Sequence, residues 1–552
     1  MRFVHMIRPQ PARIASSATD AAPSWQLQAC VASLLFLGVL IPRLPTFFRS
    51  VMDWDESLYF LIAEQWRAGH LPYTAIWDNK PIGIYGVFAL FQSWFGDSVV
   101  SIRIASVLFI TVTAFIVFRI ALTISLSDRR FRAVCALFAA VSYVVCSLTN
   151  DGLSANTEIF MACFSALAVL SALSHRGFLA GLMFGMAFMT KYVVMFEFPA
   201  IVFALLAITP PANLKSALKS TFALLCGAAL PLLLTMALYA ATGHFRPWLD
   251  DSVLSNFRRV AEPVSMQAVT YIFSTELIRW SPLFLISLAM LGRALSRLPR
   301  IVATRQIPQE ARFNLFLALW LTGGCIGVAS AKSFFDHYFL QILPVMCITL
   351  AWTLLIAAPR IRHLPRYGKF LLFAAILALP LAAAANAVAA AAHPVLALSN
   401  GRIIVQRDTP ARIAHEIQPM LAKSAAGQET GQIYVFDYQP IIYSLAGQTP
   451  PTRYAFPSVL TKCQLAQVAK VRAMHEIKRI LATNPEFIIR SLYPYTDPSV
   501  VNLRVYAAVN RTIAARYQVW RVYDDAVVYR LSAPNAPVSH SFDDLPAACP
   551  KN

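Results

Sequence analysis

The sequence predicts a polytopic α-helical membrane protein of about eleven transmembrane helices, followed by a C-terminal extracytoplasmic α/β domain. Three observations carry this. Of the 552 residues, 57% are hydrophobic and only 14% charged, whereas soluble domains carry about 25% charged residues. Apolar runs of roughly 20 residues, the length that spans a bilayer, recur as far as residue 391. Beyond that point the runs shorten and the composition becomes mixed.

The expected spans are 27–45, 99–124, 133–149, 156–173, 178–192, 193–209, 219–241, 281–298, 313–331, 338–358 and 368–391. The basic N-terminal tail precedes an apolar run without a small-residue cleavage site, so the first span reads as retained. The spans near 178–209 are short, and two half-length helices or one longer pair both fit there. Loop charge then sets the orientation. SDRRFR (127–132), SHRG (174–177), NLKSALKS (213–220), GRALSRLPRIVATR (292–305) and PRIRHLPRYGK (359–369) are basic, as is the N-terminal tail. With eleven spans all of them fall on one side, which the positive-inside rule makes cytoplasmic. The opposite side receives 46–98, 150–155, the junction near 191, 242–280, 332–337 and everything after about 391. The net charge of +19 is accounted for by these loops and by lipid headgroups. No basic and aromatic module stands apart from the spans, so a nucleic-acid partner is not expected.

Two domains follow, 1–391 in the membrane and 392–552 outside it. In the second, GQIYVFDY reads as a strand and PIIYSLAG as a helix. LAQVAKVRAMHEIKRILATN reads as a helical stretch, FIIRSL as a strand, and YQVWRVYDDAVVYRLS as a hairpin turning at Asp524-Asp525. Seven of nine cysteines lie in or beside apolar runs as small core residues. Cys463 and Cys549 suit one disulfide if their region is extracytoplasmic.

The polar residues that stand out collect at the outer boundary. MDWDESLY places Asp53, Asp55 and Glu56 just beyond the first span. WDNKP adds Asp78 and Lys80 in the same loop, and Arg103 opens the second span. Glu158 lies at the mouth of the fourth span, Lys191 at the end of the fifth, and Lys332, His337 and Tyr338 between the ninth and tenth. Any one of them suits an interfacial anchor. Together they are costly near lipid, and three carboxylates within four residues repel one another, so a protein cavity with a function is the better account. A carboxylate there suits a general base, and Lys and Arg suit a phosphate. The set therefore fits transfer of a group from a lipid phosphate to an acceptor.

The run WDESLYFLIAEQWRAGHLPYTAIWDNKPIGIYGVFALF resembles the first extracytoplasmic loop of bacterial GT-C glycosyltransferases. These are the relatives of protein O-mannosyltransferases and of the lipid A aminoarabinose transferase. NTEIF, GLMFGMAFMTKY, HYFLQILP and IYVFDYQPIIYSLAGQTPPTRYAF extend the resemblance to about residue 457. It implies an inner-membrane enzyme that moves a sugar from a polyprenyl-phosphate donor, with inversion. The acceptor would be lipid A or core oligosaccharide, another glycan, or a protein. By the same resemblance the acidic pair Asp55-Glu56 is catalytic with Asp55 as base, and Lys80 contacts donor phosphate. The resemblance also matches Glu158 and His337-Tyr338 to family positions, and Asp78, Arg103, Lys191 and Lys332 join them, from their place at the same boundary, as donor-phosphate or substrate contacts. Asn79 stands where the family often has Glu before Lys-Pro, so a metal site using that Glu is in doubt. A divalent cation is compatible with the carboxylates but not required by them. A lipid-linked sugar transporter would place charges at the midplane and show two similar halves, which this sequence does not. The acidic pair also argues against a non-catalytic assembly subunit.

Overall fold

A computed structural model describes residues 24–123, 129–260, 270, 273–275, 278–304, 306–330, 334–392, 397–399, 402–404, 408–424, 433–494 and 500–534. The chain is mostly helical. From the N-terminus run α1 (Trp25–Arg43), α2 (Trp54–Arg67), α3 (Ile82–Phe95), α4 (Val99–Thr123), α5 (Arg129–Cys146), α6 (Thr157–Leu173) and α7 (Gly177–Thr190). A segment of successive 3-10, α and π turns covers Tyr192–Ile208, and long helices follow at Leu214–Ala241, Ser281–Thr304, Gln309–Ser330 and Arg366–Ala392.

Among the described residues six helices are long and apolar enough to cross a membrane: Trp25–Phe48, Val99–Thr123, Leu214–Ala241, Ser281–Thr304, Gln309–Ser330 and Arg366–Ala392. Apolar helices at Ile82–Phe95, Thr157–Leu173, Gly177–Thr190, Tyr192–Ile208 and Leu343–Ile356 are shorter. Among the described residues six helices thus have full spanning length and five apolar ones are shorter, so the expected count of about eleven spans is not confirmed. The difference has local causes. Lys191 leaves the helix at extended backbone angles and Pro199 restarts it, so the 178–209 region is broken. The expected span at 338–358 begins with a 3-10 turn, Asp336–Gln341, and becomes α-helical only at Leu343. The expected first loop holds two helices, α2 and α3.

The chain divides into two compact units. One comprises Met1–Leu44, Ser106–Thr235 and Val264–Ala390. Here α7 lies against Leu214–Ala241 through a stripe of small residues. A Cβ on Gly181 would run into the Leu224 carbonyl, and one on Gly227 into the Phe178 carbonyl. Such close backbone approach is how helices associate where water gives no driving force between them. The outer faces of the peripheral helices carry exposed Leu34, Leu37, Leu218, Phe222, Leu234 and Phe370, as lipid contact requires.

The other unit comprises Pro45–Ala105, Met236–Pro263 and Ala391–Asn552. Its four-stranded sheet has the order Ile433–Val435, Phe487–Ser491, Ala526–Leu531, Tyr517–Val522. The first pair is parallel and the others antiparallel. Ile477, Ile480, Val505, Val509 and Ile488 pack with Tyr434 and Phe436 into its core. These strands fall where the sequence places them, and the hairpin turns at Asp524-Asp525. The helical stretch expected over LAQVAKVRAMHEIKRILATN is made of two helices, Cys463–Val468 and Ala473–Ala482. Lys470, at φ 52°, separates them. Cys463 is disulfide-bonded, and Cys549 lies outside the described residues.

Candidate active site

Asp55 and Glu56 stand in the first turn of α2, where the helix dipole favours negative charge. Successive helical residues point in different directions, and the two carboxylates separate accordingly. Asp55 is half-buried. Its Oδ2 lies 3.4 Å from Lys80 Nζ and accepts a hydrogen bond from Tyr59 Oη at 2.9 Å. Glu56 is buried and turned the other way. Arg103 Nη1 and Nη2 donate to its Oε2 and Oε1 at 2.5 and 2.7 Å, and the Met52 amide also donates to Oε1. Arg103 Nε donates to the Thr46 carbonyl at 3.2 Å. The sequence makes Glu56 catalytic and Arg103 a donor-phosphate or substrate contact; in the structure the two are paired with each other.

Lys80 sits at the end of a loop whose backbone is held in place. Its carbonyl accepts from Tyr73 Oη at 2.6 Å and Ser252 Oγ at 3.3 Å. The Asn79 carbonyl accepts from Asn256 Nδ2 at 2.7 Å. Arg453 Nη2 donates to the Tyr73 carbonyl at 2.7 Å and to Asp251 Oδ2 at 2.5 Å, and its own carbonyl accepts from the Trp77 amide. Residues Leu249–Leu254 form a π-helical turn, a form concentrated at functional sites. Sequence reasoning missed this frame of Ser252, Asn256, Asp251 and Arg453. Its one visible signal was LDDSVLSN, a polar run in the expected outer loop 242–280.

Two more carboxyls here are perturbed. Asp78 is buried, with Oδ2 accepting from Tyr85 Oη at 2.7 Å and Oδ1 from the Asn79 amide at 2.6 Å. Burial raises its pKa above the usual carboxylate range despite the nearby Lys80 ammonium. Asp251 is pushed up to about 6 by burial, which outweighs its pairing with Arg453.

Glu158, Lys191, His337 and Tyr338 lie in the first-described unit. Lys191 forms an ion pair with Glu158 and places Nζ 3.7 Å from the centre of the Tyr338 ring, a cation–π distance. Glu158, Lys191, His337 and Tyr338 are all buried. His337 Nδ1 is 3.8 Å from Asp151 Oδ2. Arg279, which sequence reasoning did not single out, donates to Asn150 Oδ1 and Asp336 Oδ2, both at 3.1 Å. The loop carrying Asn150 and Asp151 is wound around Arg43, which donates to the carbonyls of Ser147 and Gly152 at 2.7 and 3.2 Å. Lys332 lies outside the described residues. Among the described residues no three His, Cys, Asp or Glu side chains are grouped as a metal would require.

Comparison with known proteins agrees with the fold. Residues 79–239 match the family described as dolichyl-phosphate-mannose-protein mannosyltransferase. The crystal structure of ArnT from Cupriavidus metallidurans bound to undecaprenyl phosphate is similar, with a TM-score of 0.56 at 14% identity over 94% of this chain and 100% of that one. The apo state of the same protein matches with the same TM-score and identity, over 93% and 98%. No curated protein is significantly similar in sequence. The resemblance read from the sequence therefore holds: the chain has the fold of a GT-C glycosyltransferase, and residues 79–239 carry the sequence pattern of its mannosyltransferase family.

Proposed function

We propose that the chain is an inverting glycosyltransferase of the bacterial inner membrane that takes a sugar from a polyprenyl-phosphate donor on the periplasmic side. The observation that carries this reading is the half-buried Asp55 carboxylate held 3.4 Å from Lys80 Nζ, on a loop whose backbone is gripped on several sides. Asp55 accepts the proton of the acceptor hydroxyl as its oxygen attacks the anomeric carbon. The bond from that carbon to the phosphate oxygen breaks, and the phosphate leaves with the electron pair. Lys80 stabilises the charge that develops on it. A single displacement inverts the anomeric carbon. Tyr59 fixes the carboxylate while Lys80 moves from Asp55 toward the phosphate. Glu56 and Arg103 support α2 from below.

The fold shared with ArnT, whose structure holds undecaprenyl phosphate, supports a polyprenyl carrier. The basic loops support a cytoplasmic N-terminus and a periplasmic region 392–552. The Glu158, Lys191 and Tyr338 group supplies further donor or acceptor contacts. The acceptor belongs to one of three classes: lipid A or core oligosaccharide, another glycan, or a protein.

The test is sugar transfer by the purified full chain in lipid, from a panel of undecaprenyl-phosphate sugars to a membrane glycolipid extract and to periplasmic protein. Donor-dependent transfer that disappears in D55N, with unfolding unchanged, supports the reading. Full transfer by D55N removes Asp55 as the base.

A further inference from the structure

Three elements of the first-described unit meet twice. At one level α6 contributes Glu158, the 3-10 turn Tyr192–Glu197 contributes its capping residue Lys191, and the 3-10 turn Asp336–Gln341 contributes Tyr338. At a second level the same elements contribute Ser165, Glu197 and Gln341. The periodicities account for both meetings. Glu158 and Ser165 are two α-helical turns apart on one face. Lys191 and Glu197 are two 3-10 turns apart, and Tyr338 and Gln341 one.

The second level is built around a buried carboxylate. Glu197 Oε2 accepts from Trp320 Nε1 at 2.9 Å and from Ser165 Oγ, and Oε1 accepts from Gln341 Nε2 at 3.0 Å. All three donors are neutral, and among the described residues no cation contacts Glu197. The helix Gln309–Ser330, which carries Trp320, is shaped to close on this point. A Cβ on Gly323 would run into the Phe196 carbonyl, and one on Gly327 into Gln341 Nε2. An ionisable group among apolar segments is costly and is retained where it has a task.

We propose that Glu197 is a positioning residue for the Glu158, Lys191 and Tyr338 group. It does not touch substrate. It ties α6 to both 3-10 turns by hydrogen bonds, and so fixes where the Lys191 ammonium and the Tyr338 ring stand. The inference rests on the reading above that this group serves sugar transfer. Hydrogen bonding rather than charge is the working property. In E197Q the new amide oxygen still accepts from Trp320 and Ser165, and its NH2 donates to a turned Gln341 side chain.

The experiment measures kcat, donor KM and thermal unfolding of the full chain in lipid, with undecaprenyl-phosphate sugars as donors. The variants are K191M, E197A, E197Q, Q341M and the double variant E197A/K191M. E197A is expected to lower kcat about 100-fold, the effect of roughly 1 Å of misplacement, with donor KM changed less than about twofold. E197Q is expected to restore kcat to within about threefold of wild type. K191M is expected to lose activity by itself. The double variant is expected to be no worse than the poorer single one, because coupled residues are not additive. Losses that multiply in the double variant overturn the proposal. So does an active E197A beside an inactive K191M, which leaves the functional reading standing. An active K191M overturns the reading of the group itself, and the inference with it. If E197A does not fold, Q341M decides: a kcat lowered about tenfold and not additive with K191M supports the proposal, and an unchanged kcat overturns it.

Discussion

Arg103 holds Glu56 with two guanidinium nitrogens, at 2.5 and 2.7 Å, while the neighbouring Asp55 faces Lys80. Two adjacent carboxylates therefore have opposite surroundings, and substitution separates them. D55N removes the proposed base, so transfer falls by about 10²–10⁴ with little change in unfolding. E56Q or R103M leaves a buried charge without its partner, which costs about 3–5 kcal/mol. That loss is read in the denaturation midpoint, and activity falls with the folded fraction.

Lys80 is assigned to the departing phosphate. K80M is expected to lower kcat by about 10²–10³, the usual effect of losing one donor to developing charge. K80R keeps the charge but replaces a compact ammonium with a planar fork, and its activity falls between wild type and K80M. Single-turnover transfer measures both. A K80M enzyme with normal kcat and raised donor KM would assign Lys80 to binding alone.

The Asp251 carboxyl ionises near 6 in the folded chain against 3.8 ordinarily. Between these values the folded state holds a proton that the unfolded chain has released, so stability is highest below about 4 and falls as pH rises through 6. The shift of about two units corresponds to roughly 3 kcal/mol. D251N lacks this dependence. The wild type is therefore expected to lose about 3 kcal/mol relative to D251N between pH 4 and pH 7, in urea unfolding monitored at each pH.

Arg453 joins the Tyr73 carbonyl to Asp251. R453A leaves both acceptors buried and short of a donor, at a cost of about 1–3 kcal/mol. The Lys80 loop loosens as a result. Transfer is expected to fall about tenfold while donor binding changes little, as measured by kinetics beside undecaprenyl phosphate titration.

Helix packing gives a prediction independent of chemistry. G181V and G227V each drive a side chain into a facing carbonyl, and overpacking of this kind costs about 1–3 kcal/mol or more. Both variants are expected to unfold at lower temperature, with G292V, where nothing lies within 4 Å, close to wild type.

Residues that carry unusual chemistry for their surroundings were legible from the sequence. Asp55 with Lys80, and Glu158 with Lys191 and Tyr338, were each flagged because charge beside apolar runs is costly, and the structure pairs them. The partners of Arg103 were not legible, because a buried pairing with Glu56 and a phosphate contact call for the same residue type. The frame around Lys80 was hidden for a different reason. It grips backbone carbonyls across 172 to 380 positions of sequence, and a carbonyl looks the same in every residue. Glu197 did leave a signal, a lone acid within MFEFPAIV. The break at Lys191 falls beside the junction read between the spans 178–192 and 193–209, whereas the one at Lys470 was hidden because a local backbone turn interrupts a continuous helical pattern.

Tyr73, Ser252 and Asn256 hold the carbonyl oxygens of residues 79 and 80, not their side chains. The path of the chain at this point is consequently set by atoms that every residue carries. The Asn79 side chain is itself buried, so replacements of similar volume at that position would keep Lys80 opposite Asp55 while varying the chemistry beside it. Under the proposed reading, residue 79 is an entry point for altering sugar preference without rebuilding the scaffold beneath.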